Sequence, residues 1–267
     1  MKKPGVLAKA YLALVLIFLY LPVITVILYS FNASTARTPT SFTGFTFSAY
    51  RALFDDQRGF GEALKNSLII AAWSVGLSTV LGTLGAIGQV RGCMKKNKLL
   101  RGVNGLMENI TVLPVMLPEI ILGVAFLLLF SAVGLPGGML TLVIAHTTFC
   151  VPYVYLLVKS RLATLDEGVE NAARDLGASP FQALRTVTLP LAAPAILSGA
   201  LMALAMSLDD FVISFFVSGA GSTTLPLKIY SSVRYGVSTQ VNALCAVMLA
   251  AVLLLVGLSQ AVLTRKK

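Results

Sequence analysis

Charge is what this chain has least of. Only 12% of its 267 residues are charged, about half the ~25% typical of a soluble domain. That is too little to cover a water-facing surface, which excludes a soluble enzyme, a disordered chain and a secreted disulfide scaffold together. Histidine is nearly absent: with His146 alone, and no second His or Cys at ligand spacing, no metal site is expected and a packed, hydrogen-bonded imidazole is. The three cysteines, Cys93, Cys150 and Cys245, form no CxxC pair and are expected to be structural thiols. No G-x-x-x-x-G-K-[ST], HExxH, nucleophile triad or paired-acid pattern occurs, so no catalytic residue and no P-loop ATPase site are expected. The net charge of +10 is not a nucleic-acid footprint either, because the one dense basic cluster, Arg91 to Arg101, lies between two apolar spans.

What is present is apolar sequence. Hydrophobic residues make up 57% and mean hydropathy is +0.85. Ala10–Ala36, Asn66–Val90, Ile120–Val158, Thr186–Leu208 and Tyr235–Thr264 carry no charge. A helix needs about 20 residues to cross ~30 Å of hydrocarbon. The Ile120–Val158 run is too long for one crossing and is interrupted by the turn-forming Gly134-Leu135-Pro136-Gly137-Gly138. The pattern predicts an all-α integral membrane protein, one transmembrane domain over 1–267, with six helices at about 10–31, 66–90, 109–133, 139–158, 192–218 and 240–263. With the N-terminus inside, fifteen Lys/Arg fall in inner segments and six in outer ones, which places both termini in the cytoplasm. The first apolar run exceeds 20 residues and is expected to remain as a helix, because a cleavable signal core has 7–15.

Small residues recur four apart as Ser74, Ser78, Gly82, Ala86 and as Ala195, Gly199, Ala203, Ser207. That step keeps them on one helix face, where close backbone packing in the bundle interior is expected. Three acids lie in apolar surroundings: Glu119, Asp209 and Asp210. Such residues face a partner or a water-filled path. Asp209 and Asp210 point about 100° apart and cannot both face one narrow path. Glu119 follows Pro118, with Pro114 a turn earlier, and each proline is expected to bend its helix. Two readings stand: acids lining a path for a cation, or buried acids capped by hydroxyls or by an Arg of a partner subunit. Inward acids beside a proline bend favour the path.

The segment 164–194 carries helix signals that an apolar span does not need. Thr164-Leu165-Asp166-Glu167 has a capping-box pattern. Val169, Ala172, Ala173 and Leu176 form an apolar stripe at i, i+3, i+4, i+7, with Glu167, Glu170, Arg174 and Asp175 on the other faces. Gly177 is placed for a left-handed cap. Ser179-Pro180-Phe181-Gln182 starts a second short helix, expected to stop at Leu189-Pro190. An amphipathic helix held out in solvent is a docking element.

Asn171-Ala172-Ala173, three residues, Gly177, nine residues and Val187-Thr188-Leu189-Pro190 together resemble the EAA loop of ABC-importer permeases, here spanning about 164–190. The family's Glu is Asn171 in this chain, with Glu170 just before it. Further strings are similar to the C-type permease subunit of the spermidine/putrescine subfamily: Ala63–Leu68, His146–Pro152, Ser207–Ser214, Leu225–Tyr230 and Val241–Leu244. The resemblance implies a type I ABC-importer permease of MetI-like fold in the bacterial inner membrane. Residues Glu170, Asn171, Ala172, Ala173, Asp175, Leu176 and Gly177 would then seat in a separate ATPase. The implied partners are a second homologous permease, two ATP-binding cassette subunits, a periplasmic substrate-binding protein and the lipid bilayer. No cofactor is expected on this chain, since ATP and Mg²⁺ belong to the ATPase. A polyamine path needs acids for its ammonium groups and aromatic or apolar surface for its methylenes. Glu119, Asp209 and Asp210 supply the acids; Phe211 and Tyr153, with Phe149 and Phe215, are the candidate aromatics. The same machine for another solute (ferric ion, sulfate, a sugar), or an assembly subunit without a pore, are the alternatives.

Overall fold

The structure is a computed structural model and describes residues 5–36, 38–55, 59–91 and 98–264. Lys2, Lys3, Arg37, Arg58, Arg265, Lys266 and Lys267 of the charge count, and Cys93, Lys95 and Lys96 of the basic cluster, lie outside the described residues. Among the described residues, regular structure is helical apart from one isolated antiparallel bridge between Asn32 and Phe45. In chain order the elements are α1 (Val6–Tyr29), α2 (Ser48–Phe54), α3 (Phe60–Arg91), α4 (Lys98–Met116), α5 (Glu119–Ala132) and α6 (Met139–Thr164). There follow α7 (Glu167–Asp175), α8 (Pro180–Ala183), a π turn (Leu184–Thr188), α9 (Leu189–Asp209), α10 (Val212–Val217), α11 (Leu225–Arg234) and α12 (Thr239–Thr264). Among the described residues four helices are long and apolar enough to cross a membrane, and the α4–α5 pair makes a fifth if its halves form one crossing. In α12 the stretch Thr239–Ala250 adds a shorter apolar helix.

The chain gathers into two compact units, one holding residues up to Gly61 and from Lys228 on, the other Glu62–Leu227. In the first, α1 and α2 both pack on α12. The connection after α1 folds on itself: Asn32 Nδ2 donates to Ser41 O (2.8 Å), its Oδ1 accepts from Thr43 N (2.9 Å), and Phe31 stacks on Phe45 at 4.9 Å.

The second unit is built around α6, which packs against α4, α9 and α10. Both small-residue faces do what their spacing predicts. Ser74, Ser78, Gly82 and Ala86 are buried, as are Gly199, Ala203 and Ser207. The backbones close on Val154 of α6: a Cβ on Gly82 would lie 2.8 Å from Val154 Cβ, and one on Gly199 3.1 Å from Val154 Cα. Adding a methyl at Gly82 overpacks this contact, at about 1–3 kcal/mol. Thr141 Oγ1 donates to Val217 O (2.8 Å) while His146 reaches Ser214, so α10 runs antiparallel to α6 and in the same sense as α5.

Three expectations are corrected here. The helix expected at 109–133 is two helices bent by 108°. Pro114 sits inside α4 without breaking it. The break is at Pro118, which is extended (φ −55°, ψ 131°) because its ring removes the N–H that would continue α4. The helix expected at 192–218 ends at Asp209 and restarts at Val212. Finally, Leu189-Pro190 does not stop the second loop helix. That helix passes through the π turn into α9, with Leu189 N–H bonded to Leu184 O. A wider π turn lets the Pro190 ring, which would clash with the carbonyl four residues back, fit without ending the helix.

Candidate functional site

The break between α9 and α10 is a buried polar centre. Asp210 leaves the helix in an extended conformation (φ −62°, ψ 122°) and turns its carboxylate back onto the start of α10. Oδ1 accepts from Ile213 N (3.1 Å) and Oδ2 from Ser214 N (2.8 Å), the two N–H groups that a helix start leaves without partners. His146 Nε2 lies 3.3 Å from Oδ2 and 3.0 Å from Ser214 Oγ. On its other side His146 Nδ1 contacts Ser207 Oγ (2.9 Å), and Ser207 contacts Ser74 Oγ (3.1 Å). Four helices, α3, α6, α9 and α10, are thus joined by side chains that are each buried. His146 is the satisfied core imidazole that its isolation predicts. Asp210, expected on an open path, is instead enclosed, because both its oxygens are used in capping α10. Phe149 is buried and packs edge-on to His146 at 5.4 Å, so it too serves the core.

Asp209, one residue earlier, is exposed at the last turn of α9. Asp209 ends the helix and Asp210 is extended, so the two neighbouring carboxylates part, one outward and one inward. Phe211 is half-buried and lies 5.9 Å from the exposed Phe215. Glu119 is exposed as the first residue of α5, where negative charge suits the N–H end of a helix. Tyr153 is half-buried on α6. With 14 residues, α5 is about 21 Å long, shorter than a ~30 Å hydrocarbon core. Since α5 and α10 run the same way toward the Gly134–Gly138 turn, both acid-bearing breaks lie at the ends of these helices away from that turn.

Sequence reasoning missed a further intrahelical acid. Glu108 on α4 is paired with Lys159 of α6 and accepts from Gln89 Nε2 of α3 (3.3 Å). No local spacing links residues 89, 108 and 159, so only the packing brings them together.

The second site is α7. Its N-cap is Asp166, whose side chain accepts from Gly168 N (2.8 Å). The capping box expected to start at Thr164 does not form, because Thr164 is the last residue of α6 and its hydroxyl bonds back to Arg161 O. Gly177 has φ 93° and Ala178 N bonds Ala173 O, the left-handed termination predicted for it. Ser179 and Gln182 form the expected reciprocal cap of α8. The apolar stripe of α7 is left largely uncovered. Val169 and Leu176 are 49% and 90% exposed, and Asn171, Ala172 and Asp175 are also exposed. Ala173 is half-buried, and so is Glu170, which faces the bundle, accepts from Thr188 Oγ1 (3.1 Å) and lies 3.5 Å from Arg91 Nε. Phe181 on α8 adds a second large apolar side chain, 70% exposed.

Comparison with known proteins identifies the family and the fold. The profile of one family, described as the binding-protein-dependent transport system inner membrane component, matches residues 79–267. The putrescine transport system permease protein PotI of Escherichia coli is 43% identical over 88% of this chain and 83% of its own length. The spermidine/putrescine transport system permease protein PotC of Haemophilus influenzae is 39% identical over 97% of both. Among solved structures, a bacterial ABC transporter that imports alginate is similar in fold, with TM-score 0.74 and 18% identity over 96% of this chain and 95% of that one. The MetNI methionine ABC transporter gives TM-score 0.61 with 22% identity over 80% and 97%.

Proposed function

We propose a function from one premise: the chain belongs to the family of binding-protein-dependent transport system inner membrane components. It is a multi-pass inner-membrane permease subunit of an ATP-binding cassette importer. Its cargo is a polyamine of the putrescine and spermidine class, the solutes named for its relatives. It crosses the membrane six times with both termini in the cytoplasm, and it lines half of the path. A second homologous permease lines the other half. A periplasmic binding protein delivers the polyamine, and two ATPase subunits bind and hydrolyse ATP with Mg²⁺, so this chain needs no nucleotide site.

One observation supports the coupling: Leu176, at the end of α7, is exposed, while Glu170 is half-buried against the bundle. A helix with Leu176 90% exposed beside Phe181 at 70% is arranged for an apolar cleft in another protein, because burying a leucine is worth roughly 1.5–3 kcal/mol. We assign Val169, Ala172 and Leu176 to that cleft. Supporting the cargo are the exposed acids Glu119 and Asp209 at the two helix breaks, with the half-buried Tyr153 and Phe211 for cation–π contact with ammonium groups. Few and separated acids suit passage, since tight binding would stop release.

The test is uptake of labelled putrescine and spermidine in cells lacking this chain. Wild-type chain restores uptake. Leu176→Asp leaves it at the deletion background, and the ATPase no longer co-purifies. Polyamine uptake that is unchanged by the deletion would assign the path to another solute, such as ferric ion, sulfate or a sugar.

A further inference from the structure

Arg91 is the last residue of α3, and its guanidinium meets the end of α6 and the side chain of Glu170 on α7. Nη2 donates to Leu165 O at 3.1 Å and Leu162 O at 3.5 Å, the carbonyls at the C-terminal end of α6. That end carries the negative pole of the helix, where a cation is favoured. Nε lies 3.5 Å from Glu170 Oε2 of α7, with the two side chains 11% and 23% exposed. The same carboxylate oxygen accepts from Thr188 Oγ1 (3.1 Å), which is 3% exposed and sits in the π turn that leads into α9. One carboxylate and one guanidinium therefore connect α3, α6, α7 and α9, and a pair this sheltered is far less screened than a surface ion pair.

We propose that Arg91 and Glu170 are the positioning residues that pass the motion of α7 to the membrane helices. This rests on the reading above that α7 seats in an ATPase, and it deepens that reading. Glu170 follows Val169 by one residue and so points about 100° away from the Val169–Leu176 face. It holds the docking helix from behind. A push on α7 reaches α3 and α6 through Arg91 and α9 through Thr188, so three membrane helices move with it. Without the pair α7 would still present Leu176 and still bind, and its displacement would be lost in a loose hinge. That separates holding the ATPase from being driven by it.

The test uses the complete transporter, with its permease partner, ATPase and binding protein, in proteoliposomes. Glu170→Gln keeps an acceptor for Thr188 and removes the charge. Arg91→Lys keeps the charge and removes the fork that reaches the α6 carbonyls through Nη2 and the Glu170 carboxylate through Nε at once. Three quantities are read: ATPase retained in the purified complex, ATP hydrolysed, and labelled putrescine imported per ATP. Both variants are expected to retain the ATPase and to hydrolyse ATP, while import per ATP falls about tenfold. The double variant is expected to be no worse than either single one, because both cut the same link. Normal import per ATP in either single variant overturns the proposal. Loss of the ATPase from Glu170→Gln also overturns it, by putting Glu170 in the docking face. Should one variant fail to accumulate, the other decides. Failure of the docking reading is a separate result: there Leu176→Asp keeps its ATPase, whatever Glu170→Gln does.

Discussion

Two helix breaks carry acids, and they are held open by different forces. Between α4 and α5 the cause is covalent and local: Pro118 has no N–H to give, and Glu119 beside it stays exposed without contributing a side-chain cap. Between α9 and α10 no proline is present. Asp210 makes that break by capping α10, and it is held there by His146, which reaches it from α6 64 positions earlier in the sequence. A local break tolerates change in its neighbours. A tertiary break depends on each member of the network, and the same network leaves Asp209 outside. Identical side chains one position apart thus divide into a structural residue and a candidate for the path.

The comparison fails most visibly at Asp210. Asp210→Ala removes the cap and one of the three buried partners of His146, so the purified permease complex is expected to lose about 3 kcal/mol. A thermal unfolding midpoint unchanged from wild type would show that the break does not need the network. Asp210→Asn is the sharper variant. Asn keeps one acceptor oxygen for these two N–H groups and turns an NH2 toward the other, so about 1–2 kcal/mol is expected to be lost and putrescine uptake to persist. Uptake abolished in a fully stable Asp210→Asn complex would move this residue back to the path. The smallest effects belong to the exposed acids. Glu119→Gln and Asp209→Asn are expected to leave unfolding unchanged and to raise the apparent KM for putrescine about threefold each, the scale of a solvent-exposed ion pair. An unchanged KM in both would remove exposed acids from the path.

Much of the coupling segment was legible in the sequence because its signals act within one helical turn. The left-handed Gly177, the reciprocal Ser179–Gln182 cap and the apolar stripe through Leu176 all follow from spacings of three and four residues. The small-residue faces of α3 and α9 were legible for the same reason. Other features were not. Thr164 and Asp166 are both good caps, and which one acts depends on where α6 ends. Pro190 signals a stop, and the π turn before it overrides that signal. Glu170 had the look of a polar-face residue because nothing near it in the chain announces Arg91 or the buried Thr188. The same distance hides the pairing of Glu108 with Lys159.

Composition and periodicity by themselves determined that the chain is an all-helical membrane protein, roughly where its apolar helices lie, and that a capped amphipathic helix interrupts them. These depend on transfer of side chains out of water and on hydrogen bonds closed within four residues, both of which are properties of short stretches of chain. The tertiary structure alone decided which acid is buried, where α9 breaks, and that the glutamate of α7 turns inward. Each of those outcomes is fixed by a buried or half-buried polar group whose partner comes from a helix far away in sequence.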